Sequence, residues 1–387
     1  MTNGLEKTLN LSDLILFGIS SIVGSGGFNL VGNAIKEGGH QFPFMLLLSG
    51  ALFTGSAKTY EYAHDTFKKN ISETLLIESV FGVIGKNISI LSILLYNIFS
   101  IATILVFCSK MLFPEATYFK QIGFALLILS MMGISAFQRL DFNKQIINGF
   151  SISIIALLSA VTAFGFGGLT KEISRPIFPT QTNLYESFLY FFFVLAGHDA
   201  LIKFSEETKN LEDIDTSMYL SIGLSVLLTA GLCLAAVVYI GDFKGNVDNI
   251  VADIFEKVFS GSGHYTTMIV IFIMVSTTFL GFLATIRYLY GIPSLEFMKD
   301  GNEESENKGN VSNKTILIVT IASALAILIN HTSSLVELAD VGLILVLLLV
   351  AASSFFDKMK KGEFSMLDGV TTGGFASVLG MVIKKHL

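Results

Sequence analysis

The groups of this 387-residue chain that could do chemistry lie inside apolar stretches, where polar atoms are costly and mark ion or substrate paths. In Ile22-Val23-Gly24-Ser25-Gly26-Gly27-Phe28, three glycines and a serine occupy four successive positions, a composition that weakens a helix. Unwinding there frees amide N–H groups. The half-helix that follows turns its positive end toward the gap, so Val23, Gly24, Ser25, Gly26 and Gly27 could hold a carboxylate. A small-residue face for helix packing is the competing reading. The second group is Val194-Leu195-Ala196-Gly197-His198-Asp199. Unwound carbonyls at 194–197 could receive an ammonium group. His198 and Asp199 offer proton coupling or pH gating, against a purely structural hydrogen bond that closes a broken helix.

Three further sets come with bland alternatives. Ser276, Thr277 and Thr278 supply hard oxygen ligands suited to sodium, or else bond to their own helix carbonyls. Tyr96 and Asn97 either line a pocket or pack in a core. Glu206 and Glu207 either lock an inner gate by a salt bridge or form a solvated face. Glu337 and Asp340 fall in the first turns of an apolar segment, where the helix dipole favours acids.

The elements that must position these groups are membrane helices. Hydrophobic residues make up 52% of the chain and charged residues 14%, against about 25% in a soluble domain. With a net charge of −6, this excludes an ordinary soluble enzyme, a disordered chain and a nucleic-acid binder. Cys108 and Cys233 lie in apolar stretches with neither disulfide nor metal spacing, as packing residues do. Apolar segments of about bilayer length recur at 12–33, 43–63, 87–112, 119–137, 145–168, 184–204, 215–241, 265–290, 314–330, 334–356 and 364–383. The loops 242–263 and 294–313 are longer and polar. The expected fold is thus an all-α polytopic membrane protein of about eleven spans. Its organisation would be a terminus at 1–11, five helices in 12–168, five more in 184–356, and an extra helix and tail in 364–387. Interruptions at matching depths of the first and sixth segments point to inverted five-helix repeats with a site between them. Most of the 25 Lys and Arg fall on one side if the N-terminus is cytoplasmic, among them Lys58, Lys68, Lys69, Lys203 and Lys358.

On these residues the chain resembles the amino acid–polyamine–organocation (APC) superfamily. Leu11-Ser12-Asp13 through Gly24-Ser25-Gly26-Gly27-Phe28 to Gly32 looks like its first helix, and Gly197-His198-Asp199-Ala200 with Ser205-Glu206-Glu207-Thr208-Lys209-Asn210 looks like its sixth. Ala284-Thr285-Ile286-Arg287-Tyr288-Leu289-Tyr290 with Lys299-Asp300-Gly301 resembles the end of its eighth helix, and Leu335-Val336-Glu337-Leu338-Ala339-Asp340-Val341-Gly342 the start of its tenth. Gly27 replaces the family's usual Ile, His198 its usual Phe and Leu211 its usual Pro. The resemblance implies a fold like that of the bacterial leucine transporter, with helices one and six unwound at the midplane and a bundle of helices one, two, six and seven rocking against the rest. It implies a substrate among amino acids, polyamines or other organic cations.

No His-Glu-x-x-His, phosphate-cradling Gly-Lys-Ser/Thr or Gly-x-Ser-x-Gly motif occurs, so no enzyme is expected. The expectation is a secondary active amino acid transporter in a membrane, the plasma membrane before an internal one. It would use no cofactor beyond a coupling H⁺ or Na⁺. Its partners would be a small amino acid or amine, the bilayer, and a second copy or an accessory subunit. A polyamine or organic-cation carrier is the runner-up, followed by a non-transporting sensor or a channel on the same scaffold.

Overall fold

The computed structural model describes residues 5–24, 30–168, 176–245, 247, 249–293, 295, 311–329, 332–363 and 365–386. Among these the chain is all-helical, with only isolated bridges at Leu9–Thr208 and Ile177–Asp242. In chain order the helices are α1 (Leu11–Val23), α2 (Val31–Gly38), α3 (Phe42–Phe67), α4 (Ser72–Leu112), α5 (Tyr118–Ala136), α6 (Leu140–Gly168) and α7 (Leu184–Leu195). A 3-10 segment, His198–Glu207, leads to α8 (Glu212–Tyr239), α9 (Ile250–Val258), α10 (Gly263–Gly291), α11 (Asn313–Ile329), α12 (Thr332–Lys361) and α13 (Met366–His386).

Eight elements among the described residues are long and apolar enough to cross a bilayer, and α1 and α11 are shorter apolar helices. Large apolar side chains stand fully exposed around the outside, Phe119 at 83% and Ile84 at 75%. In water such a surface would drive aggregation, whereas in lipid it meets its own kind. The protein is a polytopic membrane protein.

Several boundaries differ from the sequence expectation. The segment expected at 87–112 begins at Ser72 and bends at Gly82, whose φ of 66° only glycine adopts at low cost. Its first turns bury Ser72, Glu73 and Thr74 instead of meeting solvent. The loop 242–263 contains the amphipathic helix α9, which buries Ile250, Val251 and Ile254. Most of the connector 294–313 lies outside the described residues. The helix of the first segment ends at Val23, before a non-helical Gly24, and that of the sixth ends at Leu195, so neither is one continuous helix.

Packing follows the apolar faces. α12 lies along α4, α8 packs between α1 and α6, and α10 crosses α4. α13 leans on α12 and α3. Cys108 and Cys233 are buried and unbonded, as packing residues are.

Candidate functional site

α1 starts firmly. Asn10 accepts from the Asp13 amide at 3.0 Å, and the Asp13 carboxylate accepts from the Asn10 amide at 3.1 Å. The helix ends where glycine begins. Gly24 has φ −43° and ψ −124°, outside helical space. A Cβ there would lie 2.8 Å from Thr277 Oγ1 on α10, so only glycine lets the two chains approach this closely. Ser25, Gly26 and Gly27, expected to complete a carboxylate cradle, lie outside the described residues.

The second interruption meets the first. Ala196 is extended (φ −72°, ψ 149°), and Gly197 has φ 128°. A Cβ on Gly197 would fall 2.6 Å from the Ser21 carbonyl oxygen of α1. Positive φ and contact with another backbone together require glycine here. The 3-10 segment then winds on from His198.

Around this contact lies a cavity of about 360 Å³. Ser21 and Leu30 from the two sides of the first break and Ala196, Asp199 and Ala200 from the second reach its wall. Tyr96, Asn97, Ser100, Thr103 and Phe107 of α4 face them, with Thr277 and Thr278 of α10 and Ala339 and Asp340 of α12. The wall thus joins aromatic rings, hydroxyls and two carboxylates, a lining suited to a small polar solute with a cationic group.

The expected site residues separate into those on the wall and those behind it. Tyr96, Asn97, Ala196, Asp199, Thr277 and Thr278 are on it. Val23, Val194 and Leu195 are buried in packing, and Ser276 donates to the Ile273 carbonyl at 2.6 Å, away from the wall. Thr277 and Thr278 both donate to the Met274 carbonyl, at 2.9 and 2.7 Å. Their hydroxyls thus satisfy their own helix, the bland alternative to a sodium site.

His198 lies behind the wall. It is absent from the wall, fully buried, and turned toward α3. Its Nε2 pairs with Ser56 Oγ at 3.0 Å between the edge-on rings of Phe53 and Tyr60. That is the structural hydrogen bond weighed against a gating role. Glu206 is also displaced from its expected part. Its amide donates to Asn70 Oδ1 at 2.9 Å, while Glu207 makes the buried ion pair, two-pronged with Arg287 (Arg287 Nη2 to Glu207 Oε1, 2.9 Å).

Sequence reasoning missed Glu73 and Lys203. Lys203 is 1% exposed, bonds the fully buried Glu73, and stands 3.8 Å from Asp199 Oδ2. Lys203 inside an apolar window is a signal, but Glu73 falls between the expected segments and 130 residues away, which hid the pairing.

The end of the bundle bearing the N-terminus is tied together by hydrogen bonds and ion pairs. The Glu207 carbonyl accepts from the Thr8 and Leu9 amides (2.9 and 3.1 Å), and the Lys209 amide donates to the Leu9 carbonyl (2.9 Å). Lys144 donates to the Thr8 carbonyl at 3.2 Å and lies 3.6 Å from Asp13. Asn148 donates to the same Asp13 at 2.7 Å.

Compared with known proteins, the chain matches no family model and no curated protein.

Proposed function

We propose that this protein is a secondary carrier that takes a small amine-bearing solute, an amino acid in the first instance, into the cavity between two interrupted helices and releases it on the other side of the membrane. One observation carries the reading: both interruptions reach the wall of a single cavity, at Ser21 and Leu30 on one side and Ala196, Asp199 and Ala200 on the other. Interrupted spans expose backbone dipoles that serve solute recognition, and at membrane depth such backbone is tolerated where it is shielded or lines a cavity. The wall's two carboxylates, Asp199 and Asp340, suit the ammonium end. The break at Gly24 suits the carboxylate end.

A five-plus-five inverted repeat is part of the proposal, and the packing supports it. The contact of α1 with α8 has its counterpart in α7 with α3, and that of α4 with α12 in α10 with α6. The contact of α6 with α8 is matched by α12 with α3, and that of α4 with α11 by α10 with α5. These are the pairs that a two-fold exchange of the halves would interchange. Together with the motif resemblance, they favour an APC-like carrier with a cytoplasmic N-terminus. The two acids on the wall also favour a second reading, a carrier of polyamines or other organic cations with no carboxylate to bind.

A thermal-shift screen of the purified chain against amino acids and polyamines tests both, since a ligand confined to the folded state raises the melting temperature. A stabilising amino acid that liposomes bearing the protein then accumulate supports the first reading. Stabilisation by putrescine alone moves the assignment to the second. Binding without uptake makes the protein a sensor, and conductance without saturable uptake makes it a channel.

A further inference from the structure

Behind the cavity wall the charges do not balance. Glu73 at the start of α4, with Lys203 and Asp199 on the 3-10 segment, are each at most 3% exposed. One ammonium serves two carboxylates: Lys203 bonds Glu73 and lies 3.8 Å from Asp199. No second cation among the described residues pairs with either acid.

The groups around the trio do not supply the missing charge. Tyr60 of α3, Tyr96 of α4 and Tyr288 of α10 bear phenols, which are uncharged at ordinary pH, and Tyr288 already bonds Thr74 at 2.7 Å. His198 pairs through Nε2 with Ser56, lies between the rings of Phe53 and Tyr60, and makes no ion pair with either carboxylate. Asp340 of α12, also on the cavity wall, is another acid. Arg287 is committed to Glu207. A buried charge without a counter-ion is too costly to keep at this depth, so the trio must take up one positive charge. Two oxygens are free to receive it: Glu73 Oε2 and Asp199 Oδ1 have no hydrogen-bond partner. Asp199 also reaches the cavity wall, which gives a proton a route in and out.

We propose that Glu73, Lys203 and Asp199 together form a proton-binding site at the wall of the cavity, holding one exchangeable proton when no cationic group occupies the cavity. The site stands on the charge count alone. Its use as the coupling site of a carrier rests on the function proposed above, where an arriving ammonium group at Asp199 would displace the proton.

The test uses the full chain in liposomes and dicyclohexylcarbodiimide, an apolar reagent that attacks protonated carboxyls, with adducts mapped by mass spectrometry. In the wild type near neutral pH, an adduct at Asp199 or Glu73 is expected. In Glu73→Gln or Asp199→Asn, the remaining carboxylate has Lys203 to itself, the charges balance, and its adduct should be lost. In Lys203→Gln, two acids face each other with no cation, so the adduct should be retained. Helical circular dichroism and monodisperse elution check the fold of each variant. An adduct in Lys203→Gln with none in the wild type would overturn the site, because the reagent then reaches a place that holds no proton. Undiminished labelling of Asp199 in Glu73→Gln, or no adduct in any form of the protein, would do the same. Solute accumulation is not part of the readout, so a chain that carries nothing can still label, and a carrier that never labels loses only this site.

Discussion

At the scale of single residues, Gly197 has the least freedom. Its φ of 128° and the Ser21 carbonyl 2.6 Å from any added Cβ leave no room for a side chain. Gly197→Ala should cost about 2 kcal/mol or more, through strain together with a backbone shift. The expected result is a clear fall in the thermal unfolding midpoint of the purified protein; an unchanged midpoint would mean that the second break is looser than described. The neighbouring His198 shows where residue-level reading fails. An ionisable group at mid-membrane invites a functional role, but whether the ring turns to the cavity or to Ser56 is decided by how the 3-10 segment lies against α3. The pairing of Glu73 with Lys203 was invisible for a related reason, since nothing local ties partners so distant in sequence. By contrast, the breaks at Gly24 and Gly197 were legible, because glycine runs and polar residues inside apolar windows conflict with helix physics wherever the chain goes.

At the scale of elements, the Glu207–Arg287 pair joins the 3-10 segment to α10, and it is expected to seal that end of the bundle. Arg287→Ala leaves a buried carboxylate alone, at about 3–5 kcal/mol. Adding Glu207→Gln should recover much of that loss. In the same Arg287→Ala background, a Ser205→Cys thiol should react faster with an impermeant maleimide applied from the N-terminal side, because Ser205 is fully buried while the pair is intact. Equal reactivity with and without Arg287 would remove the pair from the seal. Element boundaries were readable where apolar length decided them, as for α5 and α10. They were misread where a short amphipathic piece carried no membrane signal: α9 and the turns before Gly82 bury one face against the bundle, and that face is defined only by the neighbours it meets.

At the scale of the whole molecule, span number decides topology. If α1 with α2 crosses once, α7 with its 3-10 continuation crosses once, and α13 crosses last, the crossings are odd in number and the termini lie on opposite sides. On the orientation proposed above, the N-terminus is the cytoplasmic one. A tag fused ahead of Met1 should be reached by antibody only after permeabilisation, and a tag after Leu387 on intact cells. Both tags on one side would mean that α13 does not span. That the chain is a helical membrane protein was accessible from hydropathy alone, and eight of its helices among the described residues are long and apolar enough to span. The cavity was not, since its wall draws on Ser21, Phe107, Thr277 and Asp340 from four separate stretches, and only the assembled bundle brings them together.

The seat of Gly197 on the Ser21 carbonyl has a mechanical consequence. The contact joins the last turns of α1 to the second interruption, so a tilt of either half-helix presses on its counterpart. Motion imposed on one broken span would therefore be passed to the other at this point.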